Sequence, residues 1–546
     1  MLGEATAFPP LDAADVQAIE ALGTRRSVSV GDYLFRQGDA TYDFYVVVSG
    51  AVEIIVHADG GERVVVRHGP SRFVGELSLL AGSRVLVSAR VAEPGEVVVL
   101  SRNQLRHLIA TNPRLGDTIL AAFMARHGGL LSKAAPAIRV IGSRFSPDSL
   151  RVREFLVRSS IPHEWLDPDR DPAVEDVLRE FDVAACELPV VIATGAVLRS
   201  PTPGALAAYL GLTVDSLPDR SFDLVVVGGG PAGLAAAVYG ASEGLRTLGV
   251  DMTAFGGQAG SSSRIENYLG FPLGVSGGDL TERAVVQAEK FGAQLTSPCT
   301  AMSLKEDAGH LVIRLSDGTD LVAGAVIAAT GARYRRLDAA RIREFEGNGV
   351  YYAATEMEAR FCAGSPVVVA GGGNSAGQAA MFLAAAGCPV TVVIRGSDLG
   401  HSMSRYLVDR ILENARIDVR TETTVRALDG DRTLASLRMD GPDGERTLEC
   451  VGLFSFIGAD AGSGWLAGCA ALDDAGFVRT DRSLTDEDLD GRWALLQRRP
   501  LPFETSHPGL FAAGDLRSGS VKRVATAVGE GSAAVRSVHE YLAFSH

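Results

Sequence analysis

Two near-copies of one short pattern constrain this chain more than anything else in it. In the first, the apolar strand Phe222-Asp-Leu-Val-Val-Val227 runs straight into Gly228-Gly-Gly230-Pro231-Ala232-Gly233 and then an Ala-rich helical stretch. In the second, Pro366-Val-Val-Val-Ala370 runs into Gly371-Gly-Gly373-Asn374-Ser375-Ala376, with helix to Ala386. Strand, glycine turn and helix in this order form a dinucleotide cradle: the glycines let backbone N–H groups approach a pyrophosphate at the positive end of the helix. The two copies differ one strand later. Thr247 to Val250 ends in Asp251, a carboxylate suited to a ribose hydroxyl, whereas Val390 to Ile394 ends in Arg395. A guanidinium there suits a 2′-phosphate, which selects NADPH over NADH. Two such folds with opposite preferences predict a flavin in one and a nicotinamide in the other.

The rest of the chain must be organised around that pair. At 546 residues it exceeds a single core and divides into three or four domains. From residue 222 onward, strand and helix alternate, which predicts parallel sheets covered by helices. Residues 1–130 read instead as short strands, Phe44 to Val48, Val52 to Val56 and Arg63 to Arg67, separated by Ser49-Gly50 and Asp59-Gly60-Gly61. They predict a small β-roll followed by helix over 103–131. Between them, a strand at 138–141, helices at 149–158 and 174–181 and a strand at 190–192 predict a small α/β unit.

A formal charge of −14 argues against nucleic acid as a partner. No apolar run approaches the ~20 residues needed to span a bilayer, and the start MLGEATAFPP lacks a basic-then-apolar leader pattern, so a cytoplasmic protein is expected. The six cysteines, at 186, 299, 362, 388, 450 and 469, include no Cys-x-x-Cys pair, so neither a disulfide framework nor a metal site is indicated.

The stretch from Phe222 to Leu542 resembles the low-molecular-weight thioredoxin reductases. Besides the two fingerprints, the resemblance rests on Gly256-Gly257-Gln258, Ile265-Glu-Asn267-Tyr-Leu-Gly-Phe-Pro272, Ala329-Thr330-Gly331 and Pro508-Gly-Leu-Phe-Ala-Ala-Gly514-Asp515. It implies FAD and NADPH as cofactors, with an FAD domain at 220–338 and 456–546 and an NADPH domain inserted at 339–455. It also implies that Gln258 and Asn267 lie against the flavin and that Asp515 binds its ribityl or phosphate end. Gly257, Thr330, Gly331 and Gly514 belong to the same implied cofactor set. The helix that carries Ala527, Gly529 and Gly531 would close over the isoalloxazine. The related reductases are dimers, so a homodimer is expected.

The resemblance breaks at the redox centre. Where those reductases carry Tyr-Cys-Ala-Thr-Cys, this chain reads Tyr352-Ala353-Ala354-Thr355-Glu356. Cys362 lies six residues past Glu356, about 9 Å further along a helix, and cannot simply replace the lost thiol. The expected role of Cys362 is core packing.

Two N-terminal resemblances complete the reading. Residues 136–215 resemble a glutaredoxin, with Ser146-Pro-Asp-Ser149 where Cys-Pro-x-Cys would stand and Glu187-Leu-Pro-Val190 as the cis-proline turn. Ser forms no disulfide, so a redox-silent domain of thioredoxin fold is implied. Residues 1–135 resemble cyclic nucleotide-binding domains through Gly31-Asp-Tyr-Leu-Phe-Arg-Gln-Gly38, Tyr45-Val-Val-Val-Ser-Gly50 and Phe73-Val-Gly75-Glu76-Leu77-Ser-Leu-Leu80. The implied phosphate cassette starts at Gly75, with Glu76 on the ribose and Arg84 on the cyclic phosphate. Arg84 comes one residue early, and Val85-Leu86 replace the expected Ser or Thr and Ala. No helix-turn-helix follows, so a transcription factor is not expected. The leading expectation is an NADPH:acceptor oxidoreductase. Two other readings stay open: a disulfide reductase that uses Cys362, and a redox or cyclic-nucleotide sensor with little turnover.

Overall fold

A computed structural model describes residues 4–544 apart from 40, 59–60, 77, 82–84, 86, 134–137, 144–145, 160, 162, 172–173, 182, 194–195, 214–218, 261–264, 266–267, 308, 347–348, 353, 355, 363, 402 and 432. At the N-terminal end, four antiparallel strands run in the spatial order Thr24–Val28, Ser88–Leu100, Phe44–Ala58, Gly61–His68, with two short strands paired onto them. The expected turn at Ser49-Gly50 is not one. Phe44–Ala58 is a single strand of 15 residues, and Gly50, at φ +81°, sits in a register shift within it. Gly95 on the facing strand shows why the bulge needs small residues: a Cβ there would stand 2.1 Å from the Ser49 carbonyl oxygen. The expected single helix over 103–131 is two, Arg102–Thr111 and Pro113–Lys133, because Pro113 cannot continue the first.

The middle region forms a four-stranded sheet in the order Ala196–Arg199, Val190–Ala193, Ile138–Ile141, Glu164–Leu166. Ile138–Ile141 is parallel to Glu164–Leu166 and antiparallel to Val190–Ala193, and the Leu188–Pro189 peptide just before that strand is cis. The strands at 164–166 and 196–199 are too short to stand out in the sequence.

The two fingerprints sit on two separate sheets. Ser221–Val227 is flanked by Thr247–Val250 and Asp320–Ala328, all parallel, with Gln294–Thr296 outside and Leu510–Ala512 pairing the upper half of Asp320–Ala328. Val367–Ala370 is central in a five-stranded parallel sheet ordered 350–351, 452–455, 367–370, 390–393, 417–420. Unbroken Val and Ile runs supply strands that are buried on both faces, as a helix-covered parallel sheet demands. The chain crosses between the sheets twice, and the crossings pair with each other: Ala332–Tyr334 is antiparallel to Ala459–Ala461.

Candidate active site

The first cradle is built by close packing. A Cβ on Gly228 would stand 2.3 Å from the Ala329 carbonyl oxygen, and one on Gly233 would stand 1.8 Å from the Gly228 oxygen. A Cβ on Gly230 meets nothing nearer than 3.9 Å. The outer glycines are therefore demanded by the fold, and the middle one leaves open room at the start of helix Pro231–Ser242. The second cradle repeats the arrangement. A Cβ on Gly371 would stand 2.4 Å from the Phe456 oxygen, one on Gly373 would face open space before helix Asn374–Ala385, and Ala376 is buried where the third glycine would be. Both cradles fit a pyrophosphate.

Other elements close around the first cradle. Gly257 lies so near it that a Cβ would stand 2.8 Å from the Gly230 Cα, and Gln258 Nε2 donates to the Ala332 oxygen. Thr330 Oγ1 donates to Gly462 O at 2.6 Å, and Gly331 adopts φ +65°. Helix Val524–Phe544 packs on helix Pro231–Ser242 at Gly531, where a Cβ would meet the Ala232 oxygen at 2.0 Å. Asn267 lies outside the described residues.

Asp251 does more than was expected of it. One oxygen accepts from Gly229 N at 2.7 Å and the other from Thr253 N and Ala254 N at 2.8 and 3.0 Å. A carboxylate offers about four acceptor positions, so a ribose hydroxyl would share an anion that already braces the loop.

Asp515 is half-buried. Burial pushes its carboxyl above the ordinary range, Lys522 opposes that shift, and Glu530 adds to it. The Lys522 ammonium lies 5.4 Å from the Tyr334 ring centroid and 4.8 Å from that of Phe477. Tyr334 stacks on Tyr352 with centroids 5.3 Å apart, and Tyr352 donates to Glu346 at 2.6 Å. Sequence reasoning passed over Tyr334 and Lys522, and Tyr352 entered it only as the first residue of the aligned redox segment. It also passed over Glu530, which accepts from Gly514 N at 2.8 Å, Arg517 at 2.6 Å and Ser520 at 2.9 Å. An acid between Gly529 and Gly531 in a run of small residues was a readable signal.

The second cradle has a cationic neighbour. Arg395 lines a cavity of about 490 Å³ with Arg333, Tyr334, Arg335, Arg336, Ile457 and Asp460. Asp460 pairs with Arg335 at 2.6 Å and Glu346 pairs with Arg336 at 2.9 Å. The run Arg333-Tyr-Arg-Arg336, one residue past the Ala329-Thr-Gly331 motif, is visible in the sequence as a cluster of cations. Asn374 Oδ1 accepts from Ser404 N at 2.7 Å, which ties the start of the cradle helix to the next segment, and Ser375 is exposed.

In the segment of the lost thiols, Glu356 begins helix Glu356–Phe361 and Ala353 lies outside the described residues. Cys362 is buried in the core of this sheet with Val367, Cys388 and Phe454. Burial pushes its thiol up to about 11. In the middle region, Ser146 caps helix Pro147–Arg158, and the fully buried Ser149 is packed against Gly142. Gly75 and Glu76 are buried at the N-terminal cassette, where Glu76 N donates to Tyr42 Oη at 3.2 Å and Arg126 donates to Gly75 O at 2.6 Å. Leu77 and Arg84 lie outside the described residues. Among the described residues, no cluster could hold a metal ion and no helix is long and apolar enough to cross a membrane.

Comparison with known proteins agrees with this geometry. Residues 25–112 match the cyclic nucleotide-binding domain family, which accounts for the N-terminal β-roll. The thioredoxin reductase of Treponema pallidum is 34% identical over 327 residues, which cover 59% of this chain and 98% of that protein. That of Listeria monocytogenes is 29% identical over 329 residues, covering 59% and 95%. The crystal structure of thioredoxin reductase from Streptococcus pyogenes superposes with a TM-score of 0.52 at 28% identity, over 59% of this chain and 99% of that one. Thioredoxin reductase from Giardia duodenalis gives 0.53 at 26% identity, over 60% and 100%. The cofactors of such reductases are FAD and NADPH. Residues 222–531 match pyridine nucleotide-disulphide oxidoreductases, and the chain belongs to that family.

Proposed function

We propose that the chain is an NADPH-dependent FAD oxidoreductase whose electrons leave the flavin by a route other than a dithiol at positions 353 and 356. FAD would occupy the cradle at Gly228–Gly233 and NADPH the cradle at Gly371–Ala376, with Arg395 on the 2′-phosphate. Bound together, the two cofactors supply hydride transfer from nicotinamide to flavin. The protein's own share is to orient them: Asp251 and Glu530 hold the first cradle's loops through backbone N–H groups, and the Arg395 cavity supplies charge for the second.

The observation that carries the reading is the state of the thiols. Cys299, Cys362, Cys388, Cys450 and Cys469 are each held above the ordinary thiol range, burial being the main cause. Flavin-to-disulfide chemistry needs a thiolate, and burial suppresses it at these five; the sixth cysteine, Cys186, is exposed on the middle unit, outside the flavoprotein part. The strand order at 138–199 supports a thioredoxin-type fold for the middle unit, with Ser146 and Ser149 at its silent site. The N-terminal β-roll is read as a cyclic nucleotide site at Gly75, Glu76, Leu77 and Arg84. A cytoplasmic homodimer with a small-molecule or protein acceptor completes the proposal.

Anaerobic NADPH should bleach the flavin, and steady-state NADPH oxidation across quinone, nitroaromatic, disulfide and thioredoxin acceptors should show turnover without thiols. A single reduction followed by no turnover would indicate a sensor. A disulfide reductase is the second reading, favoured by the names of the relatives. Thioredoxin turnover at reductase-like rates, lost in Cys362→Ser, would establish it in place of ours.

A further inference from the structure

The cavity beside the second cradle is lined by four guanidiniums and the Asp460 carboxylate, and the four are not alike. Arg335 donates through Nε and Nη2 to one oxygen of Asp460, at 2.8 and 2.6 Å. Arg336 donates to both oxygens of Glu346, at 2.9 and 3.4 Å. Arg333 and Arg395 make no ion pair or side-chain hydrogen bond with any described residue. The spare cation at 333 is a matter of register. Arg333 and Asp460 are direct partners across the antiparallel crossing, where opposite charges ordinarily pair. Asp460 instead takes Arg335, two residues on and on the same face. Two like charges left free in one cavity repel each other until an anion enters.

The two free cations come from different parts of the fold. Arg395 follows strand Val390–Val393 of the second sheet, and Arg333 sits on the crossing strand Ala332–Tyr334 that leads toward it. That crossing is braced on both sides. Each of its three residues has a partner on Ala459–Ala461. Tyr334 stacks on Tyr352 with the rings 12° apart, and Tyr352 donates to the same Glu346 that holds Arg336. Arg333 is thus presented from a fixed segment with its own charge uncommitted. A phosphomonoester carries nearly two negative charges on three acceptor oxygens, more than one guanidinium fork can satisfy.

We propose that Arg333 is a specificity-determining residue that joins Arg395 in a clamp on the 2′-phosphate of NADPH. The proposal rests on reading the second cradle as the NADPH site. It adds that the choice of NADPH over NADH is shared between the second sheet, through Arg395, and the chain that enters it, through Arg333. Arg335 and Arg336 serve the same cavity differently: their charges are spent on Asp460 and Glu346, and they hold the shape of the crossing.

Calorimetric titration of the full-length, FAD-loaded protein with adenosine 2′,5′-bisphosphate and with adenosine 5′-monophosphate reads the 2′-phosphate without turnover. Wild type should bind the bisphosphate about 10-fold or more tighter than the monophosphate. Arg333→Gln, at an exposed position, should weaken the bisphosphate about 10-fold or more and leave the monophosphate within about two-fold. Arg333→Lys keeps the charge and loses the fork, and should fall between the two. The wild-type preference should also rise as pH passes the second phosphate pKa of about 6, because the dianion is the form that two guanidiniums fit. Arg333→Gln should flatten that rise. Equal weakening of both ligands in Arg333→Gln would give Arg333 a part in the shape of the crossing alone, and would overturn the proposal. So would an unchanged Arg333→Gln beside an Arg395→Gln that loses the bisphosphate, a result that leaves the NADPH reading standing. Wild-type protein that binds the two ligands equally would remove that reading, and the clamp with it.

Discussion

The two glycine cradles share one backbone solution and differ in everything around it. The first is wrapped by its own chain and ringed by anions: Asp251 braces the turn, and Asp515 and Glu530 close the far side under helix Val524–Phe544. The second opens beside a cavity with four arginines, of which Arg335 and Arg336 are paired with Asp460 and Glu346. On the proposed assignment the phosphate-binding backbone is generic, and the lining charge would set which nucleotide each cradle prefers. An acid-ringed, tightly wrapped site suits a cofactor that is held permanently. A cationic, open site suits one that carries an extra phosphate and exchanges.

The largest effect should come from breaking the backbone of one cradle and sparing the other. Gly233→Ala places a methyl carbon on the Gly228 oxygen and should yield protein with less than about a tenth of its flavin, read from the visible spectrum. Gly373→Ala adds its methyl to open space, so the fold and flavin should survive while NADPH reduction of the flavin slows. Equal flavin loss in both would mean that the cradles are not independent. Next in size is Arg395→Ala. Loss of one charge-assisted contact should raise the NADPH KM about 10- to 100-fold and leave NADH nearly unchanged. Equal damage to both would remove the argument from the 2′-phosphate. Glu530→Gln is smaller in reach, because it tests the closure of the first site. It leaves Arg517 unpaired and Gly514 with a weaker acceptor, and should lower the temperature of flavin release measured by fluorescence. NADPH affinity should not move.

Much of this contrast is legible in the sequence. Both fingerprints, Asp251 and Arg395 lie on contiguous sequence, where strand, turn and helix follow from local composition. What stayed hidden depends on contacts distant along the chain. Arg333, Arg335 and Arg336 reach the cavity beside Arg395 because the two crossings pair at 332–334 and 459–461, a long-range fact that local pattern does not carry. The Tyr334–Tyr352 stack joins two segments on either side of a crossing, and neither tyrosine is unusual in its own neighbourhood. The bulge in Phe44–Ala58 was misread for the converse reason. Ser-Gly has the chemistry of a turn, and the facing strand, with its own glycine, turns it into a local irregularity instead.

The smallest expected effect separates the sites by pH. Asp515 is held above the ordinary carboxylate range, first by burial and then by Glu530, with Lys522 pulling the other way. A carboxyl raised in the folded state keeps its proton over a window where the unfolded chain has already lost it. The folded state binds more protons there, so this group's contribution is complete below the ordinary carboxylate value near 3.9 and is lost as pH rises through the raised value. Other carboxylates titrate in the same window, so the informative quantity is the difference between wild type and Asp515→Asn. That difference in the midpoint of thermal flavin release should shift against wild type as pH rises across the window and then become flat. A difference that stays level across the acid range would mean that Asp515 ionises as an ordinary carboxylate, and that the first cradle is wetter on this side than its packing implies.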